Sequence, residues 1–292
     1  MTHTITKHDL YELCVVSPRH LVPMLRAVHA KSPTILAEDF AGTASLCDRW
    51  VQDIPGSTAI GVDLDRETLH YHPIEGEEPS PGVIKICCDV MNPNLLDEES
   101  CPPADVLHAG NFSIGYMHTR EALLAYMQHA KQRLRPGGVF VCDTYGGEST
   151  FLIGNVLREH RIVGKPEDLP PGLRAHLAKR VVYTWEQREA DPTTGRVLDV
   201  CHFRIETDIG TGGSGVAKIE AEFEDAFVYD WRLWSVPELR DALTEAGYSS
   251  VDVYAKLPDA QDDEGNVYLE PVRCGDDLDE SFVVMVVGRT DA

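Results

Sequence analysis

Five short apolar runs in the first half of the chain each close on a polar residue. They are Thr34-Ile35-Leu36-Ala37 ending in Glu38-Asp39, Ala59-Ile60-Gly61-Val62 ending in Asp63, and residues 83–88 ending in Asp89. Ala104–Ala109 ends at Gly110-Asn111, and residues 139–142 end in Asp143. Helical stretches separate these runs. Such alternation predicts βαβ units around a mostly parallel sheet, because strands covered on both faces read as continuous apolar runs. In sheets of this kind ligands bind beyond the carboxyl ends of the strands. One polar strand end is ordinary, but five in succession predict a ligand-facing rim.

The rest of the chain frames that core. Its 292 residues, 43% apolar, suffice for one large α/β domain with an elaboration or for two small domains. Residues 7–30 carry Leu10, Leu13, Val16, Leu21, Leu25 and Val28 at helical spacing, with a break at Ser17-Pro18. A helix over 120–134 is expected to stop at Arg135-Pro136-Gly137-Gly138. Past Tyr145 the pattern changes. Residues 151–176 read as helical stretches broken at Lys165-Pro166 and at Pro170-Pro171-Gly172. Residues 181–188 and 196–206 read as strands joined by a hairpin through Asp191-Pro192-Thr193-Thr194-Gly195. Residues 210–215 form a glycine-rich turn, and 217–231 a third strand. Ser235 with Glu238 three residues on marks the start of a helix over 236–246. Two strands, 251–255 and 282–287, close the main sheet around an acidic, loop-like stretch at 257–280.

Composition excludes several classes. The formal net charge is -22 and the isoelectric point about 4.8, a field that repels phosphate backbones and anionic membranes. A nucleic-acid or membrane partner is therefore not expected. No apolar run approaches the ~20 residues of a membrane span. The polar start, Met1 to Leu10, lacks the apolar segment of a secretory signal, so a cytoplasmic protein is expected. None of the eight cysteines forms a C-x-x-C pair, and most lie in apolar runs, where Cys behaves as a small hydrophobe. The histidines are scattered. His70 and His72 flank Tyr71 without completing a ligand set, so no metal is expected.

The rim residues suit a nucleoside that carries a charged amino-acid tail. The small residues of Ala41-Gly42-Thr43-Ala44 let the backbone approach the tail, and the helix start behind them favours its carboxylate. Asp63 is placed to accept from both ribose hydroxyls, and Asp89 from an adenine amino group. In these features the chain resembles the class I S-adenosylmethionine-dependent methyltransferases. The first motif of that family usually reads acid-x-Gly-x-Gly-x-Gly. The stretch Glu38-Asp39-Phe40-Ala41-Gly42-Thr43-Ala44 keeps the acid and the middle glycine and replaces the outer two by Phe40 and Ala44. The resemblance covers residues 33–145 and extends to 235–288. It implies a Rossmann-like, mostly parallel seven-stranded sheet flanked by helices, with an inserted antiparallel β cap. Residues 1–32 would be a helical lid, 33–149 the cofactor-binding core, 150–234 the substrate cap, and 235–292 the completion of the sheet. S-adenosyl-L-methionine is the implied cofactor and S-adenosyl-L-homocysteine its product. The cofactor-contacting set comprises Tyr11, Glu38, Phe40, Ala41, Gly42, Asp63, Leu64, Asp89, Val90, Asn111 and Phe112.

The segment Asn111-Phe112-Ser113-Ile114-Gly115-Tyr116-Met117-His118-Thr119 follows the fourth strand. In the family this loop lies against the transferable methyl. It is also similar to the matching segment of small-molecule N-methyltransferases, including those acting on amino sugars. A small-molecule amine acceptor is thus expected. An oxygen or carbon acceptor needs a general base, for which His118 and Tyr116 are the candidates. Asn111, Tyr116, His118 and Tyr145, with the cap residues Trp185, His202, Arg204, Tyr229 and Trp231, make up the expected acceptor site. The cap aromatics suit an organic cation, and Arg204 or Arg232 a carboxylate. Packing within a sheet core or across a homodimer interface would use the same residues. Two other classes stay open at this level. One is a non-catalytic cofactor sensor, motivated by the eroded glycine loop. The other is a nicotinamide oxidoreductase, although its G-x-G-x-x-G pattern is missing.

Overall fold

The computed structural model describes residues 4–71, 80–164, 169, 171–207, 218–262 and 267–292. The expected glycine-rich turn at 210–215, His72 and the Lys165-Pro166 break lie outside the described residues.

The chain opens with α1 (Lys7–Cys14) and α2 (Pro18–His29), separated at the break expected from Ser17-Pro18. Thr6 and Asp9 form a reciprocal capping box at the start of α1. There follow β1 (Ile35–Asp39), α3 (Ser45–Asp53), β2 (Thr58–Asp63), α4 (Arg66–Leu69), β3 (Val83–Cys87) and β4 (Ala104–Ala109). Next come α5 (Arg120–Gln132), β5 (Leu134–Gly147), β6 (Gly154–Arg161), α6 (Pro171–Arg174), β7 (Arg180–Asp191), β8 (Arg196–Glu206) and β9 (Ile219–Arg232). The chain ends with α7 (Val236–Glu245), β10 (Ser250–Ala255), β11 (Ala260–Gln261), β12 (Val267–Tyr268) and β13 (Ser281–Arg289).

Two compact units result. Among the described residues, the larger contains 18–71, 80–150, 231–262 and 267–292. Its sheet has the order β10-β13-β5-β4-β1-β2-β3, parallel over β1 to β5, with β13 antiparallel to β5 and β10 antiparallel to β13. One apolar layer packs Tyr126, Met127, Phe140, Trp234 and Leu243 on one side of this sheet. A second layer packs Leu25, Leu46, Trp50 and Val139 on the other. Both layers are needed, because the strands are apolar on both faces.

The smaller unit contains residues 1–17 and 151–230 of the described chain. Its antiparallel sheet has the order β6-β7-β8-β9. One face packs Val181, Tyr183, Phe203 and Ile205 against Leu10 and Cys14 of α1. The N-terminal segment is thus divided: α1 groups with the antiparallel unit and α2 with the parallel one.

Three expectations differ from the structure. The region 151–176 contains strand β6, where helix was expected. Seven of its eight residues are exposed, so no buried stripe marks its period, and pairing with β7 alone settles its conformation. The fifth strand begins at Leu134 and runs through Pro136-Gly137-Gly138, because the ladder to β4 resumes past an irregularity at Ala104/Val106. The acidic stretch at 257–280 contains the short pair β11 and β12.

Candidate active site

The rim of the parallel sheet is built from the turns that follow β1, β2, β3 and β4, and it lies wholly within the larger unit. After β1 the backbone enters the left-handed region three times, at Phe40 (φ 56°), Gly42 (φ 55°) and Ala44 (φ 62°). These are the three glycine positions of the motif that the sequence resembles, and only the middle one is a glycine here. Holding a non-glycine residue there costs roughly 1–2 kcal/mol, and both side chains recover part of it by packing. The Phe40 ring stacks on Tyr116 at 5.7 Å and meets Tyr126 edge-on at 5.9 Å. Ala44 is fully buried beneath Gly61. Gly42 is different: a Cβ built there would meet nothing within 4 Å, so the middle of the loop opens on free space.

Two adjacent acids end β1, and the strand's alternation sends them apart. Asp39 is fully buried. It accepts two bonds from the Arg133 guanidinium, at 2.8 and 2.9 Å, and one from the Tyr126 hydroxyl at 2.9 Å. It therefore ties β1 to α5 and cannot serve a ligand. Glu38 is buried too, and among the described residues its carboxyl meets no cation; the Cys47 thiol donates to its Oε2 at 3.3 Å. Burial pushes the Glu38 carboxyl up to about 8, with the Cys47 bond opposing and the charge of Asp63 reinforcing the rise. A buried acid without a cation fits the ammonium group of an amino-acid tail.

Asp63 closes β2. Its Oδ2 accepts from the Gly42 amide at 2.8 Å and its Oδ1 from the Asp65 amide at 2.9 Å. Burial raises its pKa, and those amides pull the other way. The next residue, Leu64, is 73% exposed, an apolar surface beside a carboxylate. Asp89, two residues past β3, is exposed and accepts from the Met91 amide at 2.8 Å, while Val90 is buried. Glu38, Phe40, Ala41, Gly42, Asp63, Leu64, Asp89 and Val90 thus lie in consecutive rim turns of one sheet, an arrangement able to hold a nucleoside with a charged tail.

The turn after β4 carries the expected acceptor residues. Asn111 (φ 52°) and Phe112 (φ 63°) are successive left-handed residues. The Asp143 carboxylate accepts from both their amides, at 3.1 and 2.7 Å, and also pairs with the Lys256 ammonium. Burial alone would raise the pKa of Asp143, but the Lys256 ammonium holds it below the usual range. The His108 ring lies where a side chain on Gly110 would have to go, 2.2 Å from a Cβ built there. Burial pushes that imidazole down to about 4, so it is neutral. Sequence reasoning placed Asp143 on the rim without a role and passed over Lys256. The signal for Asp143 was its position at a strand end, whereas Lys256 is 113 residues away and carried none.

Aromatic rings line this turn. Phe112 meets Tyr145 edge-on at 5.0 Å and Trp231 at 6.1 Å, and Tyr116 meets Trp231 at 6.0 Å. Burial raises the Tyr116 hydroxyl's pKa, so it stays protonated at neutral pH. Beyond it, Trp234 Nε1 donates to the Met117 carbonyl at 3.0 Å and Arg232 to the His118 carbonyl at 3.3 Å. The Arg232 guanidinium also stacks 3.7 Å over the Trp234 ring. It braces the turn, and this engagement argues against the substrate-carboxylate role considered for it.

In the smaller unit the expected cap residues separate onto two faces. Trp185 and Tyr229 pack in the apolar cluster with α1, where Tyr11 meets Phe227 at 4.7 Å. His202 and Arg204 have the opposite parity and lie in ion pairs: Arg204 with Glu206, and His202 with Glu186 at 3.0 Å. Trp231 groups with the larger unit. Within the smaller unit, then, Trp185 and Tyr229 do not share a face with His202 and Arg204. Alternation within each strand is legible in the sequence, whereas the register between strands is not. Glu186, His202 and Asp225 bring three ligand atoms within 4.8 Å of one another. Arg188 already pairs with both carboxylates, and the His202 Nδ1 accepts from the Asp225 amide at 3.1 Å, so these groups are mutually satisfied. All eight cysteines are free thiols, five of them buried.

No family model matches the chain. A curated ribosomal RNA large subunit methyltransferase E from Methanothrix thermoacetophila is 25% identical over 185 residues, covering 59% of this chain and 66% of its own length. Among solved structures, the sugar N-methyltransferase KedS8 from Streptoalloteichus sp ATCC 53650 aligns with a TM-score of 0.59 at 17% identity, over 99% of this chain and 94% of its own. DesVI from Streptomyces venezuelae gives 0.58 at 18% identity, over 94% and 90%. CalS10, an amino pentose methyltransferase from Micromonospora echinaspora solved with S-adenosylmethionine bound, gives 0.58 at 14%, over 97% and 96%. These likenesses concern the fold: a seven-stranded Rossmann-like sheet with an antiparallel insertion.

Proposed function

We propose that this chain, which has the fold of class I S-adenosylmethionine-dependent methyltransferases, moves a methyl group from S-adenosylmethionine to an amine nitrogen of a small molecule. The observation that carries this reading is the loop after β1. It keeps left-handed backbone at all three motif positions and opens at Gly42, between the cation-lacking Glu38 and the Asp63 carboxylate. Glu38 would take the ammonium of the amino-acid tail, Gly42 would leave room for the tail to approach the backbone, Asp63 would take the ribose, and Asp89 with Leu64 and Val90 the base. When bound, the cofactor supplies an electrophilic methyl carbon on a sulfonium.

Phe112, Tyr116, Tyr145 and Trp231 present electron-rich rings beside the loop that would carry the acceptor. Such rings favour an alkylamine or the apolar face of an aminated sugar. Asn111 and Tyr116 would orient the acceptor, Phe112 and Trp231 exclude water, and His118 receive the proton that the nitrogen loses. An amine needs little beyond this alignment, since its lone pair is the nucleophile. The amino-sugar enzymes among the structural neighbours support the acceptor class. The name of the curated relative raises an RNA substrate instead. With 48 acidic against 26 basic residues, this chain is ill suited to a polyanion.

The test is incubation with methyl-labelled S-adenosylmethionine and a metabolite extract, read by mass spectrometry. A labelled small product whose fragments place the methyl on nitrogen supports the reading. Cofactor binding without any labelled small product overturns it in favour of a macromolecular substrate or a sensor.

A further inference from the structure

The corner at Asn111-Phe112 is held by a residue from a distant part of the chain. Two successive non-glycine residues adopt left-handed backbone there, and both amides point at one carboxylate, that of Asp143. Asp143 is 1% exposed, so its charge depends on the groups around it. One is the His108 imidazole, whose ring fills the space that a side chain on Gly110 would need. The other is the Lys256 ammonium, which pairs with Asp143 Oδ2 and lies 5.5 Å from the Phe112 ring centroid. Lys256 follows β10 directly, and its side chain is 32% exposed. One cation therefore neutralises the carboxylate that fixes the corner and also touches the ring the corner carries.

We infer that Lys256 is a positioning residue: through Asp143 it sets the backbone of Asn111 and Phe112, and with it the ring that faces the transferred methyl. This rests on the methyltransferase reading for what the corner does, but not for how it is held. Lys256 touches neither cofactor nor acceptor in this scheme, and its own charge is used up on Asp143.

The experiment uses the full chain and needs no acceptor. Hydrogen exchange of the segment 108–118 and affinity for S-adenosylhomocysteine by calorimetry are measured for the parent, Lys256→Met and Lys256→Arg. Lys256→Met keeps a similar unbranched stem and removes the charge together with the bond to Asp143. Loss of one charge-assisted bond predicts exchange of 108–118 about tenfold faster, with β1 to β3 unaffected, and product affinity at least about threefold weaker. Lys256→Arg should restore both. Unchanged exchange at 108–118 in Lys256→Met overturns the inference, as does faster exchange throughout the sheet. Failure of Lys256→Arg to restore either property also overturns it. If the parent itself binds no S-adenosylhomocysteine, the methyltransferase reading falls, while the exchange data still decide whether Lys256 holds the corner.

Discussion

Glu38 and Asp39 are neighbours in sequence with different surroundings: Asp39 is held by Arg133 and Tyr126, whereas Glu38 accepts from the Cys47 thiol. For Glu38 the folded pKa, about 8, lies above the ordinary 4.5. The folded state therefore keeps a proton that the unfolded chain releases, so the contribution of Glu38 to stability is full below about 4.5 and is lost as pH rises through about 8. Glu38→Gln should flatten urea-unfolding stability between pH 4.5 and 8, the window set by those two values. The same carboxyl must ionise to meet an ammonium group, so S-adenosylhomocysteine affinity should rise with pH towards 8 in the parent and lose that rise in Glu38→Gln. At Asp63, substitution by Ala should weaken S-adenosylhomocysteine binding by about tenfold or more, the loss expected for charge-assisted bonds, as read by calorimetry. Gly42→Ala meets no steric neighbour, so its stability cost should be only the left-handed strain, about 1–2 kcal/mol. Its added methyl points into the opening and should lower cofactor affinity as well. A melting curve and a titration on the same variant separate the two effects.

At the scale of elements, the rim depends on how β1 is anchored. Arg133 leaves the end of α5 and meets Asp39 at the end of β1, with side chains 4% and 0% exposed. Removing one partner of such a pair strands the other charge in the core. Arg133→Met should therefore cost about 3–5 kcal/mol in denaturant unfolding. The double change Arg133→Met with Asp39→Leu should recover much of that loss. The loop 111–118 is braced at both ends, by Asp143 on its first amides and by Arg232 and Trp234 on its last carbonyls. That double brace explains how a turn with two strained residues can hold one shape.

For the whole molecule, a formal charge of -22 spread over 292 residues repels itself. The melting temperature should rise as salt goes from ~0.02 to ~0.3 M, since the screening length falls below ~10 Å near 0.1 M. A flat response would mean that the ion pairs along the antiparallel sheet, such as Arg188 with Glu186 and Asp225, already balance the field locally. The same charge favours a cationic cofactor and an amine over an anionic partner.

The sequence by itself determined the parallel core, because apolar strands that end in polar residues state both where the sheet is buried and which edge faces a ligand. It also determined the rim positions Glu38, Gly42, Asp63 and Asp89, which are local to strand ends. Both kinds of signal have short period and need no long-range partner. Tertiary structure alone decided the rest. That Phe40 and Ala44 still adopt glycine-like backbone depends on the rings and strands packed over them. That His202 and Arg204 face ion pairs while Trp185 and Tyr229 face the apolar cluster depends on cross-strand register. That β6 is a strand depends on β7, since its exposed side chains leave no periodic trace. Lys256 meets Asp143 across 113 residues, and no local pattern encodes a contact between a residue inside β5 and one that follows β10, two strands away in the sheet.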